Sequence, residues 1–216
     1  MEFVYVVPRE LLFPEFYPQG LVAFGEEFSE QAFVDAVVEH GYFVERDYAE
    51  RTPTLKQVIP YSLVSRDGSI LLLERLSKGG EKRLHGKLSV GVGGHINPVD
   101  QADEHGEFHS GRSSRLLNAG SQRELDEELH IEGTVDVRRY GVINDDSNAV
   151  GAVHVGVLQL VTVEGSVEIR ELDQLAGSWK TPSELQQLAE GPANIETWSR
   201  MALDSLNDVL LQPVTA

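Results

Sequence analysis

The sequence predicts a mixed α/β sandwich with a largely antiparallel sheet, and three observations carry that prediction. Runs rich in β-branched and apolar residues recur as "LKQVIPYSLVS", "SILLLER", "TVDVRRYGVIN" and "GAVHVGVLQLVTV". The turn signals "RDG" and "NDDSN" stand between members of these runs and join them as antiparallel neighbours. Helical patterns interrupt the strands singly, without the regular strand–helix alternation of a parallel doubly wound fold.

The elements follow in order. "EFVYVVPRELL" reads as a short strand ending at Pro8, followed by a loop holding Pro14, Pro18 and Gly20. In "SEQAFVDAVVEHG", Ser29 is a natural N-cap, Phe33, Val34, Val37 and Val38 recur at helical spacing, and Gly41 stops the helix. The polar "ERDYAERTPT" leads into the hairpin over residues 55–75, in which Pro60 suggests an edge or a bulge. "KLSVGVGGHI" is a strand that breaks at Gly93 and Gly94, and the polar stretch Asn97 to Ser114 reads as a linker. A helix follows over Arg115 to Leu129, then the two later strands. Thr181, Pro182 and Glu184 supply an N-cap, a first-turn proline and a capping-box acid, and a final helix runs through "IETWSRMALDSLNDVLL". Residues 1–55 read as an N-terminal extension packed on a main domain of residues 56–216.

Composition excludes several functions. The 216 residues hold 18 Lys plus Arg against 35 Asp plus Glu, so long-range electrostatics repel a nucleic-acid backbone. The chain has no cysteine, which removes thiolate metal sites and a cysteine nucleophile. No apolar stretch is long enough to span a bilayer and the first residues do not resemble a secretory signal, so a cytoplasmic protein without a membrane partner is expected.

The segment "SQRELDEELHIEG" concentrates five acids in thirteen residues. On a helix, Glu124, Glu127 and Glu128 stand at i, i+3 and i+4 and share a face, while Leu125 and Leu129 point toward a core. Like charges at this spacing cost roughly a few tenths of a kcal/mol per pair. A divalent cation reverses that sign, and hard carboxylate oxygens suit Mg²⁺ or Mn²⁺ held together with substrate phosphates. Arg123 can orient a carboxylate, and Gly120 leaves room for a ligand or a close-packed backbone. Gly93 and Gly94 allow a sharp turn that offers a carbonyl to a metal. The segment "RLSKGGEKRLHGK" gathers Arg75, Lys78, Lys82, Arg83 and Lys87 in an otherwise acidic chain, a set able to bind phosphates. The other reading of each feature is a solvated helix face and a charged hairpin loop. His95, His105 and His109 lack the compact spacing of a zinc site.

The double glycine followed by a helix carrying "RELDEELHI" resembles the Nudix box, G-x5-E-x7-R-E-U-x-E-E-x-G-U with U aliphatic, of the MutT-like Nudix hydrolases. Arg123, Glu124, Leu125, Glu127, Glu128 and Ile131 match its second half. "SILLLER", "GAVHVGVLQLV" and "SWKTPSEL" also look like the family, so the resemblance covers about residues 56 to 212, and the extension is of the kind carried by some MutT-type phosphoesterases. The resemblance implies a Nudix-type α/β/α sandwich and a phosphoanhydride hydrolase acting on a nucleoside di- or triphosphate or another nucleoside-diphosphate-linked small molecule. It implies Mg²⁺ or Mn²⁺ held by Glu124, Glu127, Glu128 and the Gly93 carbonyl. Glu124, Glu127 and Arg123 become the catalytic group, and Arg75, Lys82, Arg83 and Lys87 the substrate-binding cations.

The chain departs from the box in three places. Gly94 to Arg123 spans 29 positions, against 14 in the family pattern. Arg115 stands where the first box glutamate belongs, leaving Glu104 or Glu107 as replacements, and His130 stands at the last glycine, which a left-handed turn would accommodate. Glu164, Glu168 and Glu171 are later acids whose plain reading is surface. These departures motivate an alternative, a non-catalytic nucleotide sensor on the same fold. Isopentenyl diphosphate isomerisation, a third chemistry of the family, relies on a cysteine that is absent. The extension covers the site, packs on the sheet or pairs with a second subunit in a homodimer.

Overall fold

The computed structural model describes residues 1–76, 86–101, 115–170 and 172–211. In chain order the elements are β1 (Phe3–Pro8), α1 (Arg9–Leu12), β2 (Gly20–Ala23), α2 (Glu30–His40), β3 (Tyr42–Glu45), α3 (Arg46–Ala49), β4 (Leu55–Arg66) and β5 (Ser69–Arg75). They continue as β6 (Leu88–Ser89), β7 (Gly91–Gly93), α4 (Arg115–Glu128), β8 (Leu129–Asn144), β9 (His154–Ile169), β10 (Leu175–Lys180), α5 (Pro182–Glu190), α6 (Thr197–Asp204) and α7 (Leu206–Leu211). The chain forms two compact units, one of Met1–Pro60, Gly93–Arg123 and Gly141–Val157, the other of Tyr61–Val92, Glu124–Tyr140 and Leu158–Ala216.

In the first unit β1 lies antiparallel to β3, with Val4 opposite Val44, and antiparallel to β4, with Val6 opposite Gln57. The strand β2 pairs antiparallel with the end of β8, Leu21 opposite Ile143. The helix α2 forms for the reasons its sequence gives: Ser29 accepts a hydrogen bond from the Ala32 amide, and Phe33, Val34 and Val37 are buried on one face. That face packs with Tyr5, Val7, Leu12, Phe13, Val58, Ile96, Leu117, Val142, Val155 and Val157 in one core.

In the second unit β10 pairs with β5 along six residues, from Leu175 opposite Arg75 to Lys180 opposite Ile70, and β5 pairs with β4 and β6, all antiparallel. The β4–β5 turn uses Asp67 at φ 51° and Gly68 at φ 74°, the two positive angles of a hairpin turn that matches strand twist. Val64, Leu71, Leu73, Val92, Leu125, Leu129, Val161 and Val163 form this unit's core. The mixed α/β class with a largely antiparallel sheet is the one observed. Among the described residues no helix is long and apolar enough to cross a membrane.

The observed elements differ from expectation in identifiable places. The strand β2 and the single-turn helices α1 and α3 stand in segments read as loop or polar connection, and the strands β3 and β10 stand where the sequence suggested no element. β4 runs through Pro60 without a break and lies between β5 and β9 in the strand path. Its register with β1 covers Leu55 to Gln57 and its register with β5 covers Ser65 and Arg66, so Pro60 lies in neither of these two ladders. β8 begins at Leu129, directly after α4, so His130 is a strand residue. Among the described residues Asp67 is the only non-glycine with positive φ, and the expected left-handed turn at His130 does not occur. The final helix is divided at Ser205, whose φ of −110° and ψ of 12° leave the helical region.

Candidate functional site

The carboxylate face lies on α4. In the second unit Leu125 of α4 and Leu129, the first residue of β8, are 2 % and 0 % exposed in the apolar core, while Glu124, Glu127 and Glu128 stand at i, i+3 and i+4 of the helix. Glu127 is exposed, Glu124 half-buried and Glu128 only 9 % exposed. Arg75, at the end of β5, brings its Nη2 to 3.5 Å from Glu128 Oε1. One of the expected substrate-binding cations thus faces one of the expected metal carboxylates. Lys87 is half-buried, and its carbonyl accepts from the Arg75 amide at 3.2 Å.

The carboxyl end of the helix is closed by a residue that sequence reasoning did not single out. The Arg170 amide donates to the Glu128 carbonyl at 2.9 Å, and its Nε donates to the Leu129 carbonyl at 2.9 Å. The amide satisfies a terminal helix carbonyl that has no partner inside the helix, and the guanidinium beside it complements the negative end of the dipole. Glu164 and Glu168 are exposed, as their plain reading expected.

In the first unit Arg123 is held in a fork. Its Nε donates to Asp100 Oδ1 at 2.8 Å, and its Nη2 donates to Asp100 Oδ2 at 3.2 Å and to the His95 carbonyl at 2.6 Å. The Asp100 side chain is 3 % exposed and also accepts from the Asn97 amide at 2.8 Å. Gly120 is explained by packing in the same place: a Cβ there would stand 2.9 Å from Ile96 Cγ1 and 3.3 Å from Asp100 Oδ2. Asp100 was passed over because it falls in the polar stretch read as a linker. The signal present was the Asn97–Pro98 turn dipeptide, which announces local structure rather than a free chain. Gly93 ends β7 and is half-buried, and Arg115 is exposed in the first turn of α4.

The structure therefore joins Arg75 to Glu128 and Arg123 to Asp100 and the His95 backbone. Lys78, Lys82, Arg83, Glu104, Glu107, His105, His109 and Glu171 lie outside the described residues. His95 Nε2 stands 3.2 Å from His154 Nε2, and His154 Nδ1 is 2.7 Å from the Val150 carbonyl. Burial first, then the charges of Arg46, His154 and Arg123, hold the His95 imidazole down to a pKa of about 3, so it is neutral at pH 7.

No protein-family model matches the chain. Protein YmaB of Bacillus subtilis (strain 168) is 38% identical over 212 residues, which cover 95% of this chain and 97% of YmaB. Among solved structures Tm1382, a candidate Nudix hydrolase, is similar at a TM-score of 0.77 and 26% identity, over 96% of this chain and 100% of its own. A Nudix hydrolase from Alicyclobacillus acidocaldarius shares the fold at a TM-score of 0.50 and 13% identity, over 70% of this chain and 90% of its own.

Proposed function

The chain belongs to the Nudix hydrolase family and has its α/β/α sandwich fold, and on that premise we propose that it is a divalent-metal-dependent phosphoanhydride hydrolase. Its substrate class is a nucleoside di- or triphosphate, or another small molecule linked through a nucleoside diphosphate. The observation that carries this reading is α4, which buries Leu125 in the core of the second unit and carries Glu124, Glu127 and Glu128 at i, i+3 and i+4. Carboxylate oxygens are the donor set that Mg²⁺ or Mn²⁺ takes, which is the fit expected of the family's metal.

Glu124, Glu127 and Glu128 are the groups to hold the ion. When bound, it neutralises charge on the phosphoryl oxygens and lowers the pKa of a ligated water. The protein's own work is positional. Arg75 faces Glu128 from β5 and sets where that carboxylate stands, and the half-buried Glu124 is the candidate to accept the proton of the attacking water. The water oxygen forms a new bond to phosphorus as the bridging P–O bond breaks, and the leaving phosphate keeps the electron pair. Lys82, Arg83 and Lys87, with Arg75, supply positive charge for the non-reacting phosphates. Arg123, held by the Asp100 fork and the His95 carbonyl, keeps the orienting role that the resemblance gives it.

The test is release of phosphate or nucleotide from a panel of nucleotides and sugar nucleotides with Mg²⁺ and with Mn²⁺. Glu127→Gln is expected to lower turnover by about 100-fold or more, the scale of losing an ionised group in the reacting centre, with an unchanged far-UV spectrum. Equal rates in wild type and variant, or no turnover of any substrate, contradict the reading. Tight nucleotide binding without turnover would instead assign a sensor on the same fold.

A further inference from the structure

Outside the carboxylate helix, the first unit gathers another set of ligand-type side chains. Among the described residues Glu50, at the C-terminal cap of α3, His95, just beyond β7, and His154, at the start of β9, bring a carboxylate oxygen and two imidazole nitrogens within 4.8 Å of one another. We propose that Glu50, His95 and His154 bind one Zn²⁺, as a site separate in its residues from the carboxylates of α4.

Three physical points support the assignment. The first is tautomer. The Val150 carbonyl can only accept, so its 2.7 Å contact places the His154 proton on Nδ1 and leaves the lone pair on Nε2, facing His95. An imidazole that donates its other N–H to a backbone carbonyl is the usual support of a metal-ligating histidine, because it fixes the ring and raises the basicity of the ligating nitrogen.

The second is distance. Two nitrogens bound to one tetrahedral zinc at about 2.0–2.1 Å stand roughly 3.3 Å apart. The two Nε2 atoms are 3.2 Å apart. His95 contributes a lone pair by carrying its proton on Nδ1, a change of tautomer that leaves its charge unaltered. Glu50 completes the set by a side-chain rotation, leaving the Arg46 guanidinium 3.5 Å away; Arg46 retains its 2.9 Å pair with Glu2.

The third is ligand chemistry. Imidazole nitrogens select borderline first-row ions over Mg²⁺ and Ca²⁺, and two histidines with one glutamate form an established zinc donor set that leaves a fourth position for water. His154 is 6 % exposed and Glu50 and His95 are half-buried, so the ion would be shielded yet reachable. The nearby cations are already matched, Arg46 by Glu2 and Arg123 by Asp100. The ion would tie together three segments distant in sequence, which is how a structural metal adds its binding free energy to folding.

The test uses the full chain, stripped with chelator, dialysed against zinc, and assayed for metal content and melting. Wild type is expected to retain about one zinc per chain and to gain on the order of 5 °C in Tm at zinc 100-fold above its Kd. His154→Asn and Glu50→Gln are each expected to lower zinc affinity at least tenfold. Glu127→Gln, on the carboxylate helix, is expected to retain the zinc. Co²⁺ added to the stripped wild type is expected to give tetrahedral visible bands, a readout that stands even where a variant folds poorly. Absence of both zinc and cobalt bands in wild type overturns the proposal, as does equal zinc retention in wild type, His154→Asn and Glu50→Gln. Loss of the zinc in Glu127→Gln alone also overturns it, by moving the ion to α4. None of these results depends on turnover, so failure here and failure of the hydrolase reading are separable.

Discussion

At the scale of single residues, one carboxylate decides where the Arg123 guanidinium goes. Asp100 meets it with both oxygens, at 2.8 and 3.2 Å, from a side chain that is 3 % exposed. A two-pronged, nearly dry pair is strongly destabilised by removing one partner, by about 3 kcal/mol. Asp100→Ala is therefore expected to lower the urea midpoint by that equivalent, and Arg123→Lys not to reproduce the wild type, because an ammonium cannot offer the fork. Equal midpoints in wild type and Asp100→Ala would contradict this. The Glu124, Glu127 and Glu128 set was legible from spacing because residues three and four apart share a helix face whatever surrounds them. Asp100 was not, since nothing local separates a buried aspartate from the acids around it. Lys56 makes the same point: it is 0 % exposed, with its Nζ 2.6 Å from Asp146 Oδ1 and 3.0 Å from the Gly151 carbonyl. Asp146, read as a turn residue, is also the buried lysine's counter-charge.

At the scale of elements, helices with local signals were readable and short strands were not. Ser29 caps α2, and Thr181 and Glu184 form the expected reciprocal box at α5. β2, β3 and β10 are four to six residues long and carry too few residues for a period to emerge. They become strands because a partner supplies the ladder. Within the second unit β8 and β9 meet at a glycine pair, Gly133 at φ 124° and Gly165 at φ 153°. A methyl group on Gly133 would collide with the Glu164 carbonyl, and one on Gly165 with the Glu132 carbonyl. Gly133→Ala is expected to destabilise the chain by about 2 kcal/mol, since both the backbone angle and the close approach oppose it. Denaturant titration showing no change in midpoint would contradict that account.

At the scale of the whole chain, stability should depend on pH through a buried phenol. Tyr61 donates to Glu196 and shares hydrogen bonds with Ser199 at 2.7 Å and Ser89 at 3.2 Å. Burial first, then the Glu196 charge and hydrogen bond, push its pKa well above the ordinary 10.0. The folded chain keeps this proton after the unfolded chain has lost it, so the contribution is fully present below pH 10 and declines as pH rises beyond it. Tyr61→Phe is expected to flatten the alkaline limb of unfolding free energy against pH, whatever its effect at pH 7; an unchanged slope above pH 10 would contradict this. The compact units divide β4 at Pro60 and α4 at Arg123, so each is assembled from stretches distant in the chain. What the sequence alone determined is the fold class, the capped helices and the shared face of three glutamates, because each follows from periodicity within a few turns of chain. The tertiary structure decided the burial of Asp100 and Lys56, the Arg170 contacts at the end of α4, and the meeting of Glu50 with His95 and His154, because each joins residues far apart in the chain.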